Sequence, residues 1–122
     1  MDKKVLYIED NEDNRRLVQK VLLAQGYQVL LATDGKTGCD MIETCTPDVV
    51  LLDISLPGEL DGLAVVEKTK KLKCGAHPWF IAVTASAMPG DREHFLSHGC
   101  DDYISKPISL HELLGKIREV VG

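Results

Sequence analysis

The chain lacks any apolar run longer than a few residues, and Met1-Asp2-Lys3-Lys4 leads straight into a strand pattern with no signal-like hydrophobic stretch. A membrane helix needs about 20 apolar residues, so no membrane association is expected and a cytoplasmic location is. It also lacks C-x-x-C spacing. Cys39, Cys45, Cys74 and Cys100 are scattered, which fits free thiols in a reducing compartment better than a disulfide scaffold. Positive charge is not in excess either: 14 Lys and Arg face 19 Asp and Glu, a net charge of −5, so nucleic acid is not an expected partner. No repeat, linker or low-complexity segment divides the 122 residues, and 1–122 reads as a single domain. Phosphate-cradling glycines are missing after the first strand. In their place stands Glu9-Asp10-Asn11-Glu12-Asp13, which repels phosphate unless a cation intervenes, against a nucleotide- or flavin-binding module.

What the chain does have is a regular alternation of short apolar runs and helical patterns. Val49-Val50-Leu51-Leu52 reads as a strand buried on both faces, and it ends on Asp53 before a Pro- and Gly-containing turn. Val5 to Ile8, Tyr27 to Ala32, Trp79 to Thr84 and Asp102 to Lys106 read as four further strands. Between them, Asn11 and Asp34 stand as helix caps, Gly26 as a helix stop, and Ser109-Leu110-His111-Glu112 as a capping box. The first helix offers Leu17, Val18, Val21 and Leu22 as its apolar face; the last offers Leu110, Leu113, Leu114, Ile117, Val120 and Val121. After Asp61-Gly62, a third helix presents Leu63, Val66 and Leu72. Five β-α units predict an α/β fold: a flavodoxin-like, doubly wound five-stranded parallel sheet, order 2-1-3-4-5, with five helices.

Ligands of such sheets bind at the carboxyl ends of the strands, at the point where the order reverses. Glu9, Asp10 and Asp53 meet there. Two like charges about 4 Å apart repel by roughly 4 kcal/mol at an intermediate dielectric, so either one carboxylate is protonated or a divalent cation neutralises the set. An all-oxygen donor set points to Mg²⁺, with Mn²⁺ possible. Thr84 and Lys106, at the tips of the fourth and fifth strands, add a hydroxyl donor and a mobile positive charge. Carboxylate nucleophile, cation, hydroxyl and ammonium suit phosphoryl transfer, where positioning and charge neutralisation carry most of the catalysis.

In that order and spacing, Glu9-Asp10, Asp53 with Pro57, Asp61-Gly62, Thr84-Ala85 and Tyr103 with Lys106-Pro107 resemble the receiver domain of two-component response regulators. Any one of these motifs is weak; the ordered set at successive strand ends is specific, and the resemblance spans essentially the whole chain. It implies that Asp53 accepts a phosphoryl group from a histidine of a sensor kinase or a histidine phosphotransfer protein. It implies that Glu9, Asp10, Asp53 and the backbone carbonyl of Ser55 hold Mg²⁺, and that Thr84 and Lys106 contact the phosphoryl oxygens. Lys106-Pro107 would be a cis peptide. Tyr103 would be the switch aromatic, exposed before phosphorylation and turned inward afterwards. Such a domain is a signalling device rather than an enzyme, its only reactions being Mg²⁺-dependent self-phosphorylation from a phosphodonor and autodephosphorylation at Asp53. The chain reads as a single-domain response regulator, or as the receiver of a hybrid histidine kinase. A haloacid-dehalogenase-like phosphatase is the more distant alternative, since that family needs a second Asp where Ser55 stands. One departure is visible: Gly58-Glu59-Leu60 separates Pro57 from Asp61, one residue more than the commoner form.

The helical pattern at about 88–97 has the thinnest apolar face, Phe95 and Leu96, with Pro89 and Gly90 at its start. Little buried area holds it, so the face at 88–121 is the expected contact surface for a downstream protein target. His94 and His98 share one helix face, but without a third ligand in view they read as surface residues. Lys68, Lys70, Lys71 and Lys73 read as a solvated helix end, and Trp79 as core or rim packing.

Overall fold

The computed structural model describes residues 3–54, 62–70, 78–85 and 90–121. Ser55, Pro57, residues 58–61, Lys71, Leu72, Lys73, Cys74 and Pro89, all named above, and position 88, where the fourth helical pattern is expected to start, lie outside the described residues. The elements run β1 (Lys4–Ile8), α1 (Glu12–Ala24), β2 (Gln28–Ala32), α2 (Gly35–Cys45), β3 (Val49–Asp53), α3 (Gly62–Lys70), β4 (Trp79–Thr84), α4 (Asp91–Ser97), β5 (Asp102–Ser105) and α5 (Leu110–Val121). All pairings are parallel and the sheet order is β2-β1-β3-β4-β5. The predicted fold class and order hold, and β1 and β3 are neighbours at the reversal.

Strand alternation divides the core in two. Leu6, Ile8, Val50, Leu52, Phe80 and Ala82 pack with Cys39 and Ile42 of α2, Val65 and Val66 of α3 and Phe95 of α4. Val5, Tyr7, Val49, Leu51, Ile81 and Val83 pack with Val18 and Leu22 of α1 and Leu113 and Ile117 of α5. Side chains pointing to both faces explain why β1 and β3 read as unbroken apolar runs.

The helix ends follow local chemistry. The side chain of Asn11 accepts from the Asn14 N–H at 2.9 Å, and that of Asp34 from the Thr37 N–H at 2.8 Å. The Ser109 hydroxyl receives the Glu112 N–H at 3.4 Å, one half of the capping box. Some expectations need correcting. Leu17 is 51% exposed, since α1 buries only the stripe through Val18 and Leu22. In α3 the buried apolar residues are Val65 and Val66, with Leu63 partly buried beside them. Trp79, the first residue of the interior strand β4, is 40% exposed, so of core and rim it is on the rim. No described helix is long and apolar enough to cross a membrane, and Cys39, Cys45 and Cys100 are free.

Candidate functional site

The parallel strands deliver their last residues to one edge of the sheet. Asp53 ends β3 and is 4% exposed; Glu9 follows β1 and is 1% exposed; Asp10, next to it, is exposed. A carboxylate oxygen from each lies within 4.8 Å of the others. Lys106, one residue past β5, reaches across. Its Nζ donates to Asp53 Oδ2 at 2.9 Å and lies 3.4 Å from Glu9 Oε1. Its backbone N–H donates to the Thr84 carbonyl at 2.7 Å, which locks the tip of β5 to the tip of β4. Thr84 is buried at that tip. The Lys106-Pro107 peptide is cis, as expected.

Two residues that the sequence reading passed over support Glu9. Asn14 Nδ2 donates to Glu9 Oε1 at 3.1 Å, and Arg15 Nη1 donates to the Glu9 backbone carbonyl at 2.8 Å. Both come from the first turn of α1, so the cap at Asn11 fixes the helix that in turn orients a buried carboxylate. The N-cap signal could have pointed to them. Gly62 was also missed in this role: a Cβ there would stand 2.6 Å from the Asp53 carbonyl oxygen and 2.8 Å from Ile54 Cα. The start of α3 therefore presses its backbone onto the end of β3, and only glycine fits.

The electrostatics show the cost of this convergence. Burial pushes the Glu9 carboxyl above its ordinary value, and the hydrogen bond and charge of Asp53 push it the same way, against Asn14 and Lys106. Burial draws the Lys106 ammonium down, yet its hydrogen bond and ion pairing with Asp53 and Glu9 leave it raised overall. One lysine does not balance three clustered carboxylates. An all-oxygen set, partly open through the exposed Asp10, fits a hard divalent cation of the Mg²⁺ type.

Tyr103 lies on β5 and is half-buried, its ring centroid 6.2 Å from that of Phe95.

A family model described as the response regulator receiver domain matches residues 5–118. The chain belongs to the receiver domain family. As a receiver domain it is a phosphoacceptor signalling module of two-component systems, not an enzyme of the usual kind. Among curated relatives, the polar-differentiation response regulator DivK of Brucella ovis is 39% identical over 122 residues, covering 100% of this chain and 98% of that protein. Among solved structures, the receiver domain of the sensor histidine kinase PA1611 of Pseudomonas aeruginosa PAO1, with a magnesium ion in its active-site cleft, is 33% identical. It superposes with a TM-score of 0.88 and covers 100% of this chain and 99% of that one. The receiver domain of Saccharomyces cerevisiae Ssk1, solved with the histidine phosphotransfer protein Ypd1, is 27% identical with a TM-score of 0.89, covering 98% and 88%. The receiver fold accounts for the spacing of the candidate residues: Glu9 and Asp10 follow β1, Asp53 ends β3, Thr84 ends β4 and Lys106 follows β5.

Proposed function

We propose that Asp53 is the phosphoacceptor of this receiver and that its donor is a phosphohistidine on a sensor kinase or a histidine phosphotransfer protein. The carrying observation is the Asp53 carboxylate at the end of the buried β3, held at 2.9 Å by Lys106 and within 4.8 Å of Glu9 and Asp10 oxygens. Glu9, Asp10 and Asp53 are the residues that would hold Mg²⁺, with the Ser55 carbonyl as a further ligand outside the described residues; Mn²⁺ is a plausible substitute. When bound, the ion supplies charge neutralisation for the carboxylates and for the incoming phosphoryl oxygens.

The chain's own residues do the rest. An Asp53 oxygen bonds to phosphorus as the phosphorus–nitrogen bond of the donor breaks, and the nitrogen pair returns to the imidazole. Lys106, already beside Asp53, moves its ammonium onto a phosphoryl oxygen, and the Thr84 hydroxyl donates to another. Attack of water on the same phosphorus returns free phosphate and Asp53, so autodephosphorylation and self-phosphorylation from small phosphodonors belong to the same site. Tyr103, packed near Phe95, is the residue that would report the change outward to the 88–121 face and its protein target, in a cytoplasmic signalling chain.

The donor's approach has a physical basis. Asn14, Leu17, Val18, Lys106, Pro107 and Ile108 line an open groove of about 440 Å³ beside the acceptor. Leu17 is half exposed there, an apolar contact for a partner that must bring its phosphohistidine to Asp53. Similarity to the Ypd1-bound Ssk1 receiver supports a phosphotransfer protein as that partner. Similarity along almost the whole of DivK favours a single-domain regulator, while similarity to the PA1611 receiver keeps the hybrid-kinase reading as the second one.

The test is direct. With Mg²⁺ and acetyl phosphate the protein should gain one acid-stable, base-labile phosphoryl group by intact mass, and Asp53→Asn should gain none because an amide is a poor nucleophile. Undiminished labelling of Asp53→Asn would move the acceptor elsewhere.

A further inference from the structure

Outside the acidic pocket, a carboxylate of α3 approaches a pair of histidines at the C-terminal end of α4. His94 and His98, at i and i+4, share one face of the α4 end, and their ring centroids are 4.5 Å apart. From α3, Glu67 brings its Oε1 to 4.0 Å from His98 Nε2. In sequence the histidine pair has no third ligand in view; the fold supplies a carboxylate from 27 positions earlier, between residues 67 and 94.

The backbones carrying these side chains are held in register. Gly99, directly after His98, lies so close to α3 that a Cβ would stand 3.0 Å from Val66 Cγ1 and 3.3 Å from Lys70 Cε. Phe95 and Cys100, on either side of His98, are buried in the same cluster as Val65 and Val66. The ligands themselves are free to turn: Glu67 is 57% and His98 33% exposed at the side chain, and His94 is exposed. Two donors on a tetrahedral Zn²⁺, each about 2.0–2.1 Å from it, lie roughly 3.4 Å apart. The separation between Glu67 and His98 is 4.0 Å, about 0.6 Å wider than that, on two side chains that are partly exposed. Such turning is needed, since only the acidic cluster, among the described residues, already has its ligand atoms within 4.8 Å. Lys70 does not occupy the site with its charge: its ammonium sits 5.9 Å over the Phe80 ring.

We propose that His94, His98 and Glu67 form a second metal site, of the zinc class, with water completing the shell. Two imidazoles and one carboxylate favour Zn²⁺ strongly over Mg²⁺, whereas the all-oxygen set at Asp53 accepts Mg²⁺ and is filled by it when Mg²⁺ is in excess. An ion held there ties α4 to α3 and so restrains the helix with the least buried support.

The test is a calorimetric Zn²⁺ titration of the intact chain in excess Mg²⁺, which fills the carboxylate site. One equivalent should bind in the micromolar range. His94→Asn and His98→Gln, both at solvent-facing positions, should each weaken binding about tenfold or more, and Glu67→Gln by a smaller factor. Co²⁺ in place of Zn²⁺ should give visible ligand-field bands without the near-ultraviolet band of a cobalt–thiolate bond, which separates this site from the cysteines. Absence of Zn²⁺ binding, full retention in the His94→Asn, His98→Gln double variant, or a thiolate band would each overturn the assignment.

Discussion

Helices α1 and α4 flank the same sheet and are held in opposite ways. α1 has 13 residues, a side-chain cap from Asn11, a buried stripe through Val18 and Leu22, and two hydrogen bonds from its first turn to Glu9. α4 has 7 residues and begins at Gly90 with no side-chain cap bond; among its described side chains only Phe95 is buried. The difference teaches how one small domain keeps a fixed site and a movable surface. Capping, burial and polar bonds make α1 a rigid wall for the acidic pocket, while α4 can shift at low cost.

The comparison breaks most visibly in stability. Phe95→Ala removes the one buried apolar anchor seen in α4 and should cost about 3 kcal/mol by denaturant unfolding. Leu17→Ala, on the well-held helix, removes a half-exposed side chain and should stay within about 0.5 kcal/mol. Its effect should appear instead as slower phosphotransfer from the phosphohistidine partner, with acetyl phosphate labelling unchanged. A large stability loss for Leu17→Ala would show that α1 is anchored differently.

A somewhat smaller cost, about 2 kcal/mol, is expected for Gly62→Ala, because the added methyl meets the Asp53 carbonyl and cannot be absorbed by a flexible side chain. That variant should also phosphorylate slowly, since the end of β3 must move. Normal stability together with normal labelling would remove the claim that α3 pins the acceptor strand.

Amide exchange sharpens the contrast further. On addition of beryllofluoride, a phosphoryl mimic, residues 90–106 should change most and α1 little beyond its first turn. On the proposed role of its hydroxyl as a donor to the phosphoryl oxygen, Thr84→Ala should still accept phosphate, more slowly, yet lose most of that response. A response centred on α2 would place the output face on the wrong side.

Much of this was legible in the residues. Unbroken apolar strands ending in Glu9-Asp10, Asp53, Thr84 and Lys106 were enough to predict a parallel, doubly wound sheet, because such strands are buried on both faces and their ends gather on one side; the order followed from that fold class. What escaped was set by tertiary approach. Nothing local distinguishes Leu17 from Val18, yet only one points to the core. Gly62 reads as a helix start until the Asp53 backbone is found against it. Glu67 belongs to His98 only through the packing of α3 on Gly99. Sequence did not show which carboxylate of the cluster is deepest: Asp10 is exposed at the rim, while Glu9 is buried beside Asp53 and its carboxyl is raised.

The burial of Glu9 yields the smallest effect, a pH dependence on the α1 side. Burial, then the hydrogen bond and charge of Asp53, raises the Glu9 carboxyl above its ordinary value of 4.5. An acid whose folded pKa is raised binds more protons folded than unfolded in the window between the two values. Stability from this group is therefore greatest below the ordinary value and is lost as pH rises through the folded one. Lys106, also raised, keeps its contribution throughout this range and loses it only in alkali. Asp34, lowered by the Thr37 N–H, acts in the opposite sense but only near and below its ordinary value of 3.8. Chemical unfolding of metal-free protein should thus show stability falling as pH rises above the ordinary carboxyl value of 4.5, and Glu9→Gln should flatten the slope. Saturating Mg²⁺ should flatten it too, because a cation favours the ionised carboxylate. A slope that persists in Glu9→Gln would place the buried charge on another residue, and α1 would then be bonded to a carboxylate that carries no strain.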